Sequence, residues 1–211
     1  MVKRITALRK QGGARKRVNV YLDDEYAFSL EPEVVVRERL AVGCELDSGK
    51  INELAGADNY QRCFDAATHY LGCRPRSESE MRQRLSRRGF DNESVEAVLK
   101  RLRELELVDD LEFARFWRDN RREFSPRSRL MTGLELKRKG VSEEIIGQVL
   151  DTASDEDSAY RAGLSRARRL STSDYQTFRR RLGEYLKRRG FGYGIIKKVV
   201  EQLWGELGNG A

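Results

Sequence analysis

Residues 85–90 read LSRRGF, and the same pattern returns twice further along the chain. Residues 136–141 read LKRKGV and residues 186–191 read LKRRGF, so the three glycines are 51 and 50 residues apart. After each copy, apolar residues recur at helical spacing, as in Val95, Val98 and their equivalents. A fixed period of about fifty residues indicates a tandem array of one helical unit.

Each copy predicts the same local structure, a helix that ends at a glycine turn and a second helix that starts soon after. Two basic residues precede the glycine, where they oppose the negative end of the helix dipole. Glycine adopts the positive φ of a C-terminal cap more readily than other residues do, so we expect positive φ at all three glycines. A further helix precedes each pair, over residues 60–71, 111–122 and 157–169.

Helix starts are also marked in the sequence. Residues 77–80 read SESE, which is a capping box for the helix that ends at Arg88. In the second copy, Ser125 and Pro126 predict a helix start with proline at its first position.

The first fifty residues have a different pattern. Apolar residues alternate with polar ones over residues 18–22 and 26–30, with two aspartates and a glutamate between them, which predicts a β-hairpin. Residues 5–8 predict an earlier strand, with a turn at Gly12-Gly13. Two short helices are expected next, over 33–40 and from a cap at Asp47 to residue 55.

The predicted fold is mostly α, with three tandem three-helix repeats that form an elongated curved rod after a small β-rich N-terminal element. We place the boundaries at residues 1–56 for that element and at 57–108, 109–153 and 154–211 for the repeats. One such repeat is too small to bury its own apolar face, so stacking against its neighbours would complete the core.

The net charge of +7 comes from the N-terminal end. Residues 1–17 contain seven basic and no acidic residues, whereas the rest of the chain has 34 of each. A basic end of this kind suits an anionic partner such as nucleic acid or an acidic protein surface. The alternative is a solvated basic edge that aids solubility. The candidate partner-binding residues are this end and the basic residues of the repeats: Arg15, Lys16, Arg17, Arg82, Arg87, Arg88, Arg138, Lys139, Arg188 and Arg189. The alternative role of the repeated basic pairs is compensation of helix dipoles.

No pattern in the sequence predicts catalysis, a cofactor or a metal site. There is no phosphate-binding GxxxxGK[ST] and no HExxH, and the single histidine cannot build a histidine cluster. Asp109-Asp110 and residues 155–157 could hold magnesium, but they also precede predicted helices, where acids favour the positive dipole end. Cys44, Cys63 and Cys73 form no CxxC pair, so we expect free thiols in a reducing compartment. No apolar stretch approaches a membrane span, and we expect a cytoplasmic, non-enzymatic protein.

A DNA-reading helix-turn-helix is the alternative interpretation of the glycine-centred helix pair. Its recognition helices would begin at residues 92–94, 142–144 and 192–194. Two of the three would place carboxylates against phosphates and base edges, which disfavours duplex DNA.

Four groups of residues form distinctive strings: residues 74–85, RPRSESEMRQRL, with Arg88-Gly89-Phe90; residues 107–114, LVDDLEFA; Leu136 with Lys139-Gly140-Val141; and Val20-Tyr21-Leu22-Asp23. Together these strings resemble the RecX family of bacterial RecA regulators. The chain departs from the family's pattern at residues 125–128, SPRS, where a glycine-containing turn would be expected.

The resemblance implies a function that composition does not. RecX-like proteins bind the RecA filament on single-stranded DNA, lie along its helical groove and restrain its growth. They thereby reduce strand exchange, ATP hydrolysis and LexA-type co-cleavage, which links them to DNA repair, homologous recombination and the SOS response. From the resemblance we expect a monomer whose partner is the RecA filament, together with single-stranded DNA inside it.

Overall fold

The computed structural model describes residues 2–12, 17–151, 154–170 and 174–208. Within these ranges it has a four-stranded sheet followed by a long helical region. The strands are β1 (Lys3–Lys10), β2 (Val18–Leu22), β3 (Glu25–Leu30) and β4 (Glu45–Leu46). The helices are α1 (Pro32–Arg37), α2 (Ser48–Cys73), α3 (Glu78–Arg87), α4 (Asn92–Glu104), α5 (Asp110–Phe124), α6 (Arg129–Arg138), α7 (Glu143–Leu150), α8 (Asp155–Ala167), α9 (Tyr175–Arg188) and α10 (Tyr193–Gly208).

The chain divides into two compact units. The first contains Met1–Pro75 and Met81–Val108, and the second contains Arg76–Glu80 and Asp109–Ala211. The first turn of α3 therefore belongs with the second unit, although the rest of α3 belongs with the first.

The N-terminal strands form an antiparallel sheet in the order β3-β2-β1-β4. The predicted hairpin and first strand are confirmed, whereas the two-residue β4 is an element that the sequence did not predict. Asp23 and Asp24 both have positive φ between β2 and β3, as a two-residue hairpin turn requires. Alternation places Val18, Val20 and Leu22 on the buried face.

A single helix replaces two predicted ones. The interpretation of residues 47–55 and 60–71 as separate helices is wrong, because α2 runs unbroken for 26 residues. The predicted cap is correct, since the Asp47 side chain accepts a hydrogen bond from the backbone N–H of Lys50. The helix contributes Leu54 to the core of the sheet and Cys63 to the core of the first repeat. Burial at both ends outweighs the weak helix propensity of Gly56 in its interior.

Three three-helix repeats follow, as the sequence predicts. They consist of the C-terminal half of α2 with α3 and α4, then α5–α7, then α8–α10, and each has its own apolar cluster. The leucine that opens each repeated string, Leu85, Leu136 or Leu186, is fully buried in its cluster. Such burial contributes about 1.5–3 kcal/mol for each leucine.

The three glycine turns have the predicted geometry. Gly89, Gly140 and Gly190 have φ of 91°, 81° and 88°. In each turn the glycine N–H donates to the carbonyl three residues earlier, and the next N–H donates to the carbonyl of the buried leucine. This is the left-handed helix end that the sequence indicates.

One predicted helix start is displaced. Ser125 and Pro126 do not begin α6, because Ser125 is the C-terminal cap of α5. Ser128 is the N-cap of α6 instead, and its side chain accepts from the N–H of Met131. In α3, by contrast, Ser77 occupies the predicted cap and accepts from the N–H of Glu80. Throughout the part of the chain that is described, no helix is both long and apolar enough to cross a bilayer.

Candidate partner-binding surface

The first residue of each basic pair is exposed. Arg87, Arg138 and Arg188 lie in the last turns of α3, α6 and α9, each two residues before the turn glycine. Among the described residues none of the three has an ion pair or side-chain hydrogen bond, so their guanidinium groups face solvent. Each also compensates the dipole of its own helix, so exposure alone does not assign it to a partner.

The second residue of the pair is bound within the protein in the second repeat. The ammonium of Lys139 lies 2.6 Å from a Glu80 carboxylate oxygen, and 19% and 18% of the two side chains are exposed. It also lies 4.0 Å from the centroid of the Trp117 ring. The Lys139 carbonyl accepts a hydrogen bond from the hydroxyl of Ser77. Lys139 therefore holds its turn against the start of α3.

The third repeat makes the equivalent contact with the second. The Arg189 guanidinium donates to the carbonyl of Pro126 over 2.8 Å and to the hydroxyl of Ser125 over 3.3 Å. The Arg189 carbonyl accepts from the N–H of Ser128 over 3.1 Å. We call each contact between a glycine turn and the start of the preceding repeat's middle helix a repeat joint.

Glycine is required sterically at both joints. A Cβ at Gly140 would overlap the Ser79 side chain, and a Cβ at Gly190 would overlap the Met131 side chain. At Gly89 a Cβ would meet nothing within 4 Å. The first turn therefore has the backbone geometry of the other two, but no helix start among the described residues approaches its glycine.

Carboxylates complete each joint. Asp110 accepts from the N–H of Glu78, the first residue of α3, and Asp155 accepts from the N–H of Arg129, the first residue of α6. Asp109 caps its own helix through the N–H groups of Leu111 and Glu112. These aspartates therefore accept hydrogen bonds from N–H groups at helix starts. A position at a helix start is the alternative to magnesium binding that the sequence indicates for them.

Arg17 lies in a half-buried ionic network. Its guanidinium is 2.6 Å from Glu31, 2.9 Å from Asp58 and 2.5 Å from the carbonyl of Ser29. Burial by itself would lower the pKa of Arg17, but the hydrogen bonds and charges of Asp58 and Glu31 outweigh it and raise that pKa. Arg17 thus ties the end of β3 to α2. The predicted neighbours Arg15 and Lys16 lie outside the described residues.

The two remaining candidates lie in the first repeat. Arg82 of α3 binds Glu96 of α4 through two hydrogen bonds of 2.6 and 3.1 Å, which lower the pKa of Glu96. Arg88 is exposed and donates to the Tyr70 hydroxyl over 3.1 Å. With the Arg84 guanidinium 4.2 Å from the same ring centroid, these cations lower the pKa of Tyr70.

A groove in the third repeat adds residues that were absent from the predicted set. It lies between α9 and α10 with a volume of about 260 Å³, has apolar Ile196 and Val200 in its lining, and is flanked by basic side chains. The flanking cations are Arg179, Arg180, Lys187 and Lys197. Tyr193 also lines it and is 73% exposed. The signal in the sequence is the glycine-rich stretch GFGYG at residues 190–194, which contains this tyrosine.

Comparison with known proteins identifies the chain's relatives. Four family descriptions match in succession: the regulatory protein RecX N-terminal domain over residues 3–47, and the first, second and third RecX three-helix domains over 63–102, 109–150 and 154–200.

Individual relatives span nearly the whole chain. It is 30% identical to a regulatory protein RecX of Bacillus licheniformis, with 98% of this chain and 80% of that protein covered. It is 28% identical to one of Clostridium botulinum, with 94% and 95% covered. A crystal structure of regulatory protein RecX superposes with a TM-score of 0.70 at 25% identity, over 94% of this chain and 99% of the other. The chain therefore belongs to the RecX family of regulatory proteins.

Proposed function

We propose that this protein binds the RecA nucleoprotein filament and restrains strand exchange, ATP hydrolysis and the co-protease role of RecA. The observation that carries the proposal is the recurrence of one exposed, internally unpaired arginine at the same position of every repeat: Arg87, Arg138 and Arg188. In a RecX-family chain, a repeated cation suits a filament that repeats its own acidic surface and its DNA phosphates.

The contacts of the other candidate residues reduce the set that we assign to the partner-binding surface. Three candidate side chains bind partners within the protein, so we assign them a role in stabilising the fold: Arg17, Lys139 and Arg189. Arg82 is held by Glu96 and is assigned likewise. We keep Arg88 in the proposed partner-binding surface because its side chain is exposed. The role envisaged is binding without catalysis, in the cytoplasm where RecA acts.

The groove of the third repeat supports an anionic partner as well. Four cations and one carboxylate, that of Glu184, line the groove beside its apolar strip, and the exposed ring of Tyr193 offers a surface for stacking or apolar contact. Basic side chains next to an exposed aromatic ring suit either the phosphates and bases of single-stranded DNA or an acidic protein segment.

Stand-alone binding of duplex DNA is the alternative function. It would use the starts of α4, α7 and α10 as recognition helices. Glu93 lies in the first turn of α4, and Glu143 and Glu144 in that of α7. Carboxylates at those positions oppose duplex phosphates, so the alternative is disfavoured.

A triple variant tests the proposal. We expect R87Q/R138Q/R188Q to fold normally and to bind RecA filaments on single-stranded DNA at least 10-fold more weakly. If the arginines meet phosphates, the slope of log affinity against log salt concentration should flatten by roughly 2, at about 0.7 per contact. A smaller change in slope would assign them to the protein surface of RecA.

The control is R39Q/K100Q/R169Q, which removes the same charge from exposed positions outside the basic N-terminal end and away from the three repeat turns. It should bind within about 2-fold of the unaltered chain, since the lost charges touch no partner. Equal losses in both triple variants would mean that only net charge matters. Tight binding of a 30-base-pair duplex without RecA would favour the alternative function instead.

A further inference from the structure

The three glycine turns are equivalent in backbone geometry but not in their neighbours. Their φ values lie within 10° of one another, and the same two backbone hydrogen bonds close each turn. Gly140 and Gly190 each lie against the start of a helix, whereas Gly89 has open space where a Cβ would be.

The two occupied turns share one binding chemistry. In each, a serine at the helix N-cap donates a hydrogen bond to the carbonyl of the basic residue before glycine: Ser77 through its hydroxyl to Lys139, and Ser128 through its N–H to Arg189. In each, the basic side chain also binds groups at that helix start, a Glu80 carboxylate or the Pro126 carbonyl. The glycine removes the Cβ that would prevent the approach.

The first turn presents the same groups without an occupant among the described residues. Gly89 is exposed, and so is the Arg88 side chain, whose hydrogen bond among the described residues goes to the Tyr70 hydroxyl and to no helix start. Arg88 and Phe90 line a cleft of about 910 Å³ in the first unit, together with Arg62, Asp65 and His69 of α2. The cleft gives a second helix room to approach the turn from solvent.

Among the described middle helices of the three repeats, no start remains that a second copy of this chain could supply. The starts of α3 and α6 already hold the turns of Gly140 and Gly190. In α9, Phe178 stands 50 residues after Ser128 in place of the serine, and it is 1% exposed. That helix begins earlier and is capped by Asp174, which accepts from the N–H groups of Gln176 and Thr177. The starts of α7 and α8 are also capped by serine, but their acids Glu143 and Asp157 already pair with Lys137 and Arg161 of the same chain.

We propose that the Gly89 turn is a docking site for the N-terminal turn of a helix in a partner protein, capped by serine or threonine and carrying an acidic residue in its first turn. The acidic residue would pair with Arg88 as Glu80 pairs with Lys139. This inference rests on the proposed function, because the RecA filament is the partner in which such a helix is sought.

Glycine substitutions test the docking without altering charge. In G89A the new Cβ meets only solvent in the free protein, but it would meet the docking helix as it would at Gly140 and Gly190. In G89N the side chain tolerates positive φ better and still carries a Cβ, so strain is reduced while the obstruction remains. The matched control is G43A, because Gly43 also has positive φ, 97°, and open space around it.

Affinity for RecA filaments on single-stranded DNA is measured for the full chain and the three variants, with folding checked by circular dichroism. We expect G89A and G89N to bind at least 10-fold more weakly and G43A to bind within 2-fold. The docking site is overturned if the Gly89 variants bind within 2-fold, which leaves filament binding itself intact. It is also overturned if G43A loses as much as G89A, since backbone strain would then explain both. An unaltered chain that does not bind filaments overturns the proposed function and the docking site together.

Discussion

The repeat joints predict that identical substitutions at equivalent glycines have different costs. In G89A the free energy of unfolding should fall by about 1 kcal/mol, because alanine at positive φ loses roughly 1–2 kcal/mol relative to its preferred regions. In G140A the same strain applies, and the new Cβ also overlaps the Ser79 side chain. Relief requires the turn to move away from α3.

The additional cost at Gly140 follows from the contacts that such a movement breaks. The hydrogen bond from the Ser77 hydroxyl to the Lys139 carbonyl contributes about 0.5–1.5 kcal/mol. The half-buried pair of Lys139 and Glu80 adds about 0.5–1 kcal/mol. G140A should therefore lose about 2–3.5 kcal/mol in total, against about 1 kcal/mol for G89A.

Thermal and urea unfolding measure the difference. For a chain of this size 1 kcal/mol corresponds to about 2–4 °C in Tm, so G140A should melt several degrees below G89A. Trp117 fluorescence reports the second repeat when the variants are made in a W204F background, because Trp204 of the third repeat also emits and the Trp117 ring contacts Lys139. The double variant S79G/G140A should recover part of the loss, since it removes the atoms that the new Cβ meets. Equal destabilisation by G89A and G140A, or no recovery in the double variant, would refute the reasoning.

Three further predictions concern single residues. R17Q should lower the free energy of unfolding by about 2–3 kcal/mol in urea titrations, because it leaves the buried Asp58 carboxylate and the partly buried Glu31 carboxylate without their cation, whereas R4Q, which breaks an exposed pair, should cost less than about 0.5 kcal/mol. Cys73 should react with a thiol reagent at pH 8 much faster than Cys63, because burial raises the pKa of the Cys63 thiol to about 12; equal rates in the folded protein would contradict its placement. The pKa of Glu96 is lowered in the fold, so its stabilising contribution is present above the ordinary carboxyl pKa and is lost as the pH falls from about 5 towards 3. E96Q should show a shallower acid-induced decline in Tm than the unaltered chain, and an unchanged decline would exclude this pair as a contributor.

The repeat joint explains how a chain of small helical units holds together. Each joint combines a serine cap, an aspartate from the next repeat and a glycine turn, so it satisfies helix-end N–H and C=O groups that would otherwise need water. The third repeat departs from this pattern because Phe178 stands where the serine of a joint would be. Its middle helix therefore lacks the serine cap that binds a glycine turn in the other two repeats. Among the described residues, the Gly89 turn has the backbone geometry of a joint without the close approach of a helix start.

The sequence by itself determined the features that depend on neighbours a few residues away. The positive φ of the three turn glycines follows from helix ends whose hydrogen bonds close within five residues. The hairpin of β2 and β3 follows from alternation and from a two-residue turn. The three-helix repeats follow from a period that is visible without any knowledge of how they pack.

Tertiary contacts decided the outcome where the local sequence allows two structures or two roles for a residue. Residues 125–128 contain two serines that could start a helix, and Ser128 prevails where the Arg189 carbonyl, 61 residues later, accepts its N–H. Arg138 and Lys139 are adjacent and carry the same charge, yet one faces solvent and the other binds Glu80, 59 residues away. Arg17 likewise belongs to the basic N-terminal end in the sequence, but in the fold its guanidinium lies 2.9 Å from an Asp58 carboxylate oxygen. In each case the charge or hydroxyl is written in the sequence, but its partner lies on another element, and only packing brings the two within hydrogen-bonding distance.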